Sequence, residues 1–218
     1  MRPLANITEY REKRVPSAEQ IKALLPVLQT PHLHFDAKSQ TLSFSSPQVA
    51  IDLGGIAKGY ACDLAIDYLK RLGIEHAYVS AGGDSRILGD RLGRSWLIGI
   101  KNPRLTSASD KNTVITLPLS NTAVSTSGDY ERFFIDETTG ERIHHIINPR
   151  TGRSAMGVIS VTILGPEGIG TDPLSTSVFI LGVEKGLNLI NKMPEYDAVI
   201  IDAQGQVHFS EGLMPPSN

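Results

Sequence analysis

The chain has 218 residues, and its 21 basic and 23 acidic side chains give a formal net charge of -2 at pH 7. The two signs are interspersed and no basic run occurs, so the composition argues against nucleic acid and against a membrane surface as partners. Cys62 is the only cysteine, which excludes an internal disulfide and a cysteine metal cluster.

No apolar run is long enough to span a bilayer, and residues 1–14 lack the apolar segment of a signal peptide. The chain as written is therefore expected to stay in the cytoplasm, where it is made. Its length suits one large domain or two closely packed small ones. We predict a single domain over residues 1–218, without a clear internal boundary.

The first predicted elements are a short helix and a hairpin. Ser17 and Gln20 form a capping-box pattern before apolar residues at helical spacing, and Pro26 limits the length of that helix. Residues 33–36 and 41–44 alternate apolar and polar side chains around a polar turn, which predicts two paired strands. A longer helix follows over residues 56–72, with Tyr60, Leu64 and Leu72 among its apolar positions and Gly73 as its stop signal.

The second part of the chain is richer in predicted strands. They lie at 77–80, 87–88, 96–100, 114–119, 130–135, 142–147, 158–164, 198–202 and 207–209. Two helical segments interrupt them, one opening at Asp172 and running towards Leu181, the other covering residues 183–191. Strands outnumber helices and follow one another through short turns. The predicted fold class is therefore α+β, with a largely antiparallel or mixed sheet packed against a few helices.

The stretch 51–60 (IDLGGIAKGY) has the composition of an anion-binding or metal-binding turn. Asp52 and the pair Gly54 and Gly55 precede a helix whose first turn carries Lys58. Glycines allow close approach to the backbone, and a helix N-terminus offers free N–H groups and a positive dipole end. The alternative is an ordinary tight turn, and neither of the standard nucleotide-binding glycine motifs is present.

Asp172 and Thr176 stand four residues apart at the predicted start of a helix. Two hard oxygen atoms on one side of a helix suit Mg²⁺, which keeps waters and takes phosphate oxygens to complete its octahedron. The alternative is a helix cap, with Asp172 as the N-cap residue, Pro173 as the first helical residue and Thr176 packed inward.

The pair His144 and His145 lies in a predicted strand. Neighbouring residues of a strand face opposite ways, so one histidine is expected to point inward and the other towards solvent. An inward histidine is a candidate base near neutral pH, and the competing interpretation is a hydrogen-bonded core residue.

Five segments, in this order and spacing, resemble the ApbE family, the FAD:protein FMN transferases. They are 52–60 (DLGGIAKGY), 81–84 (AGGD), 127–130 (SGDY), 144–152 (HHIINPRTG) and 172–176 (DPLST). The resemblance implies an α+β fold of the ApbE type, FAD as the donor substrate and Mg²⁺ as the metal. It further implies transfer of FMN to a threonine hydroxyl of a target protein, with release of AMP.

The resemblance also implies roles for individual residues. It places Asp52, Lys58 and Ile146 at the FAD, and makes His145 the catalytic residue. The implied protein ligands of Mg²⁺ are the Gly55 carbonyl, Asp172 and Thr176.

Two features depart from the family pattern. Asn148 stands where the family usually has aspartate, which removes a negative charge near the histidine pair. The chain also resembles an ApbE protein without the usual N-terminal portion, which puts the completeness of the FAD pocket in question. Family resemblance suggests the periplasm or cell envelope, in contrast with the cytoplasmic location expected from the chain alone.

Three functions remain open at this point. The first is Mg²⁺-dependent FMN transfer to a protein, with a flavin-carrying subunit of a membrane electron-transport complex as the partner implied by the family. The second is hydrolysis of FAD to FMN and AMP at the same site, with water in place of threonine. The third is a non-catalytic FAD-binding, nucleotide-binding or scaffold protein.

Overall fold

A computed structural model of the protein describes residues 13–28, 32–104 and 112–214. The chain forms two compact units, and each unit combines two separate stretches of sequence. Unit 1 consists of Met1–Asp52 and Asp129–Ala155, and unit 2 consists of Leu53–Gly128 and Met156–Asn218. The prediction of a single domain stays a prediction.

The described residues form helices and antiparallel strands, which confirms the α+β fold class. The helices are α1 Ala18–Leu24, α2 Ala57–Arg71, α3 Gly168–Leu181 and α4 Val183–Ile190, with short 3-10 turns at Leu25–Leu28 and Glu211–Leu213. The strands are β1 Leu33–Asp36, β2 Thr41–Phe44, β3 Ala77–Ala81, β4 Asp84–Leu88, β5 Trp96–Lys101, β6 Thr113–Leu119, β7 Ala123–Gly128, β8 Phe133–Ile135, β9 Arg142–His144, β10 Ile147–Asn148, β11 Arg153–Ser154, β12 Val158–Gly165, β13 Asp197–Asp202 and β14 Val207–Phe209. Within the described ranges, no helix combines the length and apolar character that a bilayer crossing needs.

Unit 1 contains α1 and three small antiparallel strand pairs, β1 with β2, β8 with β9 and β10 with β11. The predicted capping box is confirmed, since the Gln20 N–H donates to Ser17 Oγ and the Ser17 N–H donates to Gln20 Oε1. The predicted hairpin is confirmed with its bounds unchanged. The strand predicted at 142–147 is broken at His145 and Ile146, and the strand predicted at 130–135 begins only at Phe133.

Unit 2 is built on a six-stranded antiparallel sheet with the strand order β14-β13-β12-β7-β4-β3. All eight residues of β12 are buried, so this central strand is covered on both faces rather than alternating between core and solvent, as its sequence suggested. α3 packs on β7 and β12, and its own inward side includes Val178 and Phe179, which are fully buried.

α2 matches its predicted bounds to one residue at each end, and Gly73 follows it with a φ of 79°. Its inward face differs from the prediction, because Tyr60, Leu64 and Leu72 are exposed while the small residues Gly59 and Cys62 are buried. The reason is the close packing of α2 against α3. A Cβ atom on Gly59 would lie 2.1 Å from the carbonyl oxygen of Gly168, so only glycine fits this crossing.

We expect Gly59→Ala to lower the free energy of unfolding by about 2 kcal/mol, because the added methyl group meets backbone atoms that cannot rotate away. Urea unfolding of the two proteins measures this. Gly55→Ala is the matched control, since its Cβ would meet only Thr176 Oγ1 at 3.9 Å. Equal stability of the Gly59 and Gly55 variants would contradict the close crossing.

Candidate metal and phosphate site

The residues predicted to bind metal and phosphate in unit 2 come from the N-terminal part of α2 and the middle of α3. α3 begins at Gly168, one turn before Asp172, so the prediction that Asp172 is an N-cap residue with Pro173 as the first helical residue is wrong. The sequence signal misled because the first N–H groups of α3 are satisfied from another helix: Asp63 of α2 accepts from Gly168 and Ile169. Pro173 lies inside α3, where it costs the helix one N–H donor.

Asp172 is a buried carboxylate, with 2% of its surface exposed. Its Oδ2 accepts a hydrogen bond of 3.0 Å from the N–H of Gly59, the third residue of α2, and its Oδ1 lies 3.5 Å from Lys58 Nζ. α2 has no side-chain cap of its own, so Asp172 caps it from α3. The structure thus brings Asp172 and Lys58 together, as their proposed shared role requires.

Asp84 is a third charged group of the site, which we did not single out from the sequence. It follows the Gly82–Gly83 turn and forms a short ion pair with Lys58 while only 1% of its side chain is exposed. The segment 81–84 is a second glycine pair beside a carboxylate and carries part of the family resemblance, but no role was predicted for Asp84. A carboxylate directly after two glycines was the available signal.

The charges of the site perturb one another. Burial raises the pKa of the Asp84 carboxyl, Lys58 opposes this shift and Asp172 adds to it. For Lys58, burial lowers the pKa, but the Asp84 and Asp172 carboxylates outweigh it and raise the pKa above its usual value. The lysine is therefore held as an ammonium ion between two acids.

Three hydroxyl groups adjoin the charged cluster. Ser127 Oγ, at the end of β7, lies 2.8 Å from Ser175 Oγ and 3.0 Å from Thr176 Oγ1. Gly55 is close to the same threonine, since a Cβ on Gly55 would lie 3.9 Å from Thr176 Oγ1. The structure therefore places Gly55 near Thr176. Asp172 lies one helical turn before Thr176 in α3.

The donor set fits a small divalent cation. The two carboxylates Asp84 and Asp172 share one ammonium group, that of Lys58. When both acids are ionised, one negative charge of this cluster is therefore not neutralised by the lysine. The oxygens of Asp172, Thr176 and the Gly55 backbone are hard ligands of the kind that Mg²⁺ accepts, together with water and phosphate oxygens. No group of three His, Cys, Asp or Glu side chains gathers in the described part of the chain, and the predicted set, with one carboxylate, does not need one.

The adjacent histidines His144 and His145, which lie in unit 1, differ in exposure as the strand pattern predicts. His144 is buried, its Nε2 donates to the carbonyl oxygen of Ala155 at 2.8 Å and its Nδ1 accepts from the Ile146 N–H at 3.3 Å. These bonds engage both ring nitrogens, so His144 is a hydrogen-bonded core residue. His145 is exposed. The inward histidine is thus the structural one, and the role of base for His145 stays a prediction.

The remaining predicted residues of unit 1 differ in exposure. Asp52 is exposed, whereas Ile146 has only 5% of its surface exposed and so offers little area to a ligand. Their contacts with FAD stay predictions. Asn148 accepts from the Arg150 N–H through Oδ1 at 2.9 Å, a turn bond that aspartate makes equally well.

We expect Lys58→Met to lower the free energy of unfolding of the metal-free protein by about 2 kcal/mol at about pH 8. This value is smaller than for a fully buried ion pair, because 42% of the Lys58 side chain is exposed to solvent. The raised pKa of Asp84 means that the fold favours its neutral form and loses stability as the pH rises through that pKa. Removing Lys58 raises this pKa further, so the loss is smaller at about pH 5.

Urea unfolding at both pH values tests this expectation. Lys70→Met on the same helix is the control, because Lys70 pairs only loosely, at 3.7 Å, with the exposed Asp67. A Lys58→Met loss that is the same at both pH values would contradict the coupling to Asp84.

Comparison with known proteins identifies the family of this chain. The model of the ApbE family matches residues 1–200. An FAD:protein FMN transferase of Klebsiella pneumoniae is 34% identical over 188 residues, which cover 86% of this chain and 56% of the relative. One from Vibrio cholerae is 34% identical over 221 residues, which cover 98% of this chain and 64% of the relative. The chain thus spans between half and two thirds of the length of these relatives.

Solved structures give the same result for the fold. The ApbE protein of Thermotoga maritima superposes with a TM-score of 0.85 and 35% identity, covering 96% of this chain and 68% of that one. The flavin transferase ApbE of Vibrio cholerae superposes with a TM-score of 0.81 and 30% identity, covering 96% and 67%.

Proposed function

This chain belongs to the ApbE family, and we propose that it transfers FMN from FAD to a threonine hydroxyl of a target protein, releasing AMP. The observation that carries this proposal is the cluster of the half-buried Lys58 with the buried carboxylates Asp84 and Asp172, beside the hydroxyls of Ser127 and Thr176. Such a cluster suits a diphosphate bound through a cation, and FAD contains one diphosphate. Relatives named FAD:protein FMN transferase support the choice of donor.

Each residue of the cluster has a task in this proposal. The Gly55 carbonyl, Asp172 and Thr176 would hold Mg²⁺. When bound, the ion would neutralise charge on the diphosphate of FAD. The ammonium group of Lys58 would hold the same diphosphate, and Asp84 keeps that group charged and limits its movement. Positioning and electrostatics therefore supply most of the rate enhancement that we propose.

The proposed reaction is a displacement at the phosphorus atom of the FMN portion. The acceptor threonine oxygen forms a bond to that phosphorus, the bond from phosphorus to the AMP oxygen breaks, and AMP leaves with both electrons. His145 is proposed as the base that takes the hydroxyl proton, and its exposure supports this choice over His144. Asp52 and Ile146 are proposed to contact FAD.

We further propose that the acceptor is a flavin-carrying subunit of a membrane electron-transport complex, and that the protein acts in the cell envelope. Both proposals rest on family resemblance. To test the acceptor, membranes are incubated with this protein and their proteins are then analysed for covalently bound FMN. A membrane protein that gains covalent FMN would support the proposed acceptor.

The central experiment incubates the protein with FAD, Mg²⁺ and a threonine-containing acceptor protein. We expect covalent flavin fluorescence on the acceptor in a denaturing gel and one AMP per flavin transferred. Asp172→Asn and Thr176→Val should reduce the signal at least about a hundredfold, because the first removes the charge and one oxygen of a proposed ligand and the second removes the ligand hydroxyl. Ser177→Ala is the control, since Ser177 is the exposed neighbour of Thr176.

Other results would point to the other candidate functions. FMN and AMP released without an acceptor would identify a hydrolase, and FAD binding without turnover would identify a binding protein. Covalent flavin that persists unchanged in Asp172→Asn would contradict the proposed site.

Mg²⁺ binding itself is measurable by thermodynamic linkage. A concentration of about 100 times the Kd should raise the free energy of unfolding by about 2.7 kcal/mol. The increase should vanish in Asp172→Asn and persist in Ser177→Ala. A Mg²⁺ effect of equal size in Asp172→Asn would place the ion elsewhere.

The adjacent histidines give a matched pair of variants. His145→Asn is expected to reduce transfer by about a hundredfold or more while changing the free energy of unfolding by less than about 1 kcal/mol, because the side chain is exposed. His144→Asn is expected to cost about 2 kcal/mol of stability, because it disturbs two buried hydrogen bonds. The transfer rate and the free energy of unfolding in urea are measured for both variants. Loss of transfer in a stable His144→Asn, with transfer retained in His145→Asn, would identify His144 as the base.

A further inference from the structure

The two helices that carry the site cap one another, and this arrangement assigns a role to Asp63. Neither α2 nor α3 has a side-chain hydrogen bond from its own N-cap residue. Asp172 of α3 accepts from the third N–H of α2, and Asp63 of α2 accepts from the first two N–H groups of α3. Each helix thus supplies the carboxylate that the other lacks.

The geometry at Asp63 is that of a two-pronged cap. Oδ1 accepts from the Gly168 N–H and Oδ2 from the Ile169 N–H, both at 2.8 Å. Arg86 of β4 approaches Oδ1 with Nε at 3.3 Å, and only 13% of each of these two side chains is exposed. A carboxylate with both oxygens engaged by neighbouring N–H groups and a flanking guanidinium has one available orientation.

The backbones of α2 and α3 are in close contact where Gly59 meets Gly168. Gly59 and Gly168 leave no room for a side chain at this crossing, since a Cβ on either would lie within 2.4 Å of the carbonyl oxygen of the other. Asp63 fixes the first turn of α3 on one side of this contact. The bond from Gly59 to Asp172 fixes the second turn on the other side.

We propose that Asp63 is a positioning residue of the metal site. By capping α3 from α2, it sets where Asp172 and Thr176 stand relative to Gly55 and Lys58. Asp63 does not itself contact the ion or FAD. This inference rests on the proposed metal site, and it predicts that a change at Asp63 weakens cation binding without removing any ligand.

The test uses Mn²⁺ as the probe, because its free form is counted directly by electron paramagnetic resonance. Asp63→Asn should weaken Mn²⁺ binding about tenfold, the size seen when groups that orient metal ligands are changed. The amide keeps the size of the side chain but loses the charge and one of its two acceptor oxygens. Asp67→Asn, one turn further along α2 with an exposed side chain, should bind Mn²⁺ like the wild-type protein.

Three further comparisons separate positioning from a general loss of stability. Binding is compared at a temperature where circular dichroism shows each variant to be fully folded. Asp63→Glu, which keeps the charge and both oxygens, should recover part of the affinity. In the transfer assay, Asp63→Asn should raise the Mg²⁺ concentration needed for half-maximal rate, while the rate at saturating Mg²⁺ stays within about threefold of wild type.

The outcomes distinguish this inference from the proposed function. Folded Asp63→Asn that binds Mn²⁺ with wild-type affinity would overturn the inference, whether or not the protein transfers FMN. Weakened Mn²⁺ binding in a protein that transfers no FMN would support the inference and count against the transferase proposal alone. If Asp63→Asn does not fold, the same comparison made with Asp63→Glu decides, since a shifted carboxylate should still weaken binding.

Discussion

The carboxylate of Asp172 is the group on which the arrangement of unit 2 depends. It is buried, it closes the first turn of α2 through Gly59 and it faces the ammonium group of Lys58. An isolated carboxylate at such depth is costly, and each of these contacts offsets part of that cost. Asp172 therefore joins α2 to α3, contributes to the position of Lys58 and supplies part of the local negative charge.

Much of the fold follows from local sequence. Ser17 and Gln20 cap α1 as expected, Gly73 ends α2 in the left-handed conformation, and the β1 and β2 bounds agree residue for residue. These features are governed by bonds between residues a few positions apart. Local pattern fails where a distant partner decides the outcome. The start of α3 depends on Asp63, 105 residues before Gly168, and the local signal at Asp172 and Pro173 pointed one turn too late.

The candidate site was partly predictable for the same reason. Gly55, Lys58, Asp172 and Thr176 stand in recognisable segments, and the structure brings these four close to one another in unit 2. Asp84 and Ser127 stand in segments that the sequence also marks, but their place in the site depends on the pairing of β4 and β7, which neighbouring residues do not show. The exposed face of α2 shows a similar limit: a 3.6-residue period identifies a helix, but it does not show that the closest packing uses glycine instead of leucine.

The two oxygens of Asp172 have different partners, and this difference affects which cation the proposed site would favour. Oδ2 accepts from the Gly59 N–H, whereas Oδ1 faces the ammonium group of Lys58. A cation at the proposed site would reach Oδ1 without disturbing the bond to Gly59. A large ion such as Ca²⁺, which favours bidentate carboxylates and more ligands, would have to compete with a backbone amide for its second oxygen. A small octahedral ion makes no such demand. The bond that closes a helix would thereby also discriminate between alkaline-earth ions.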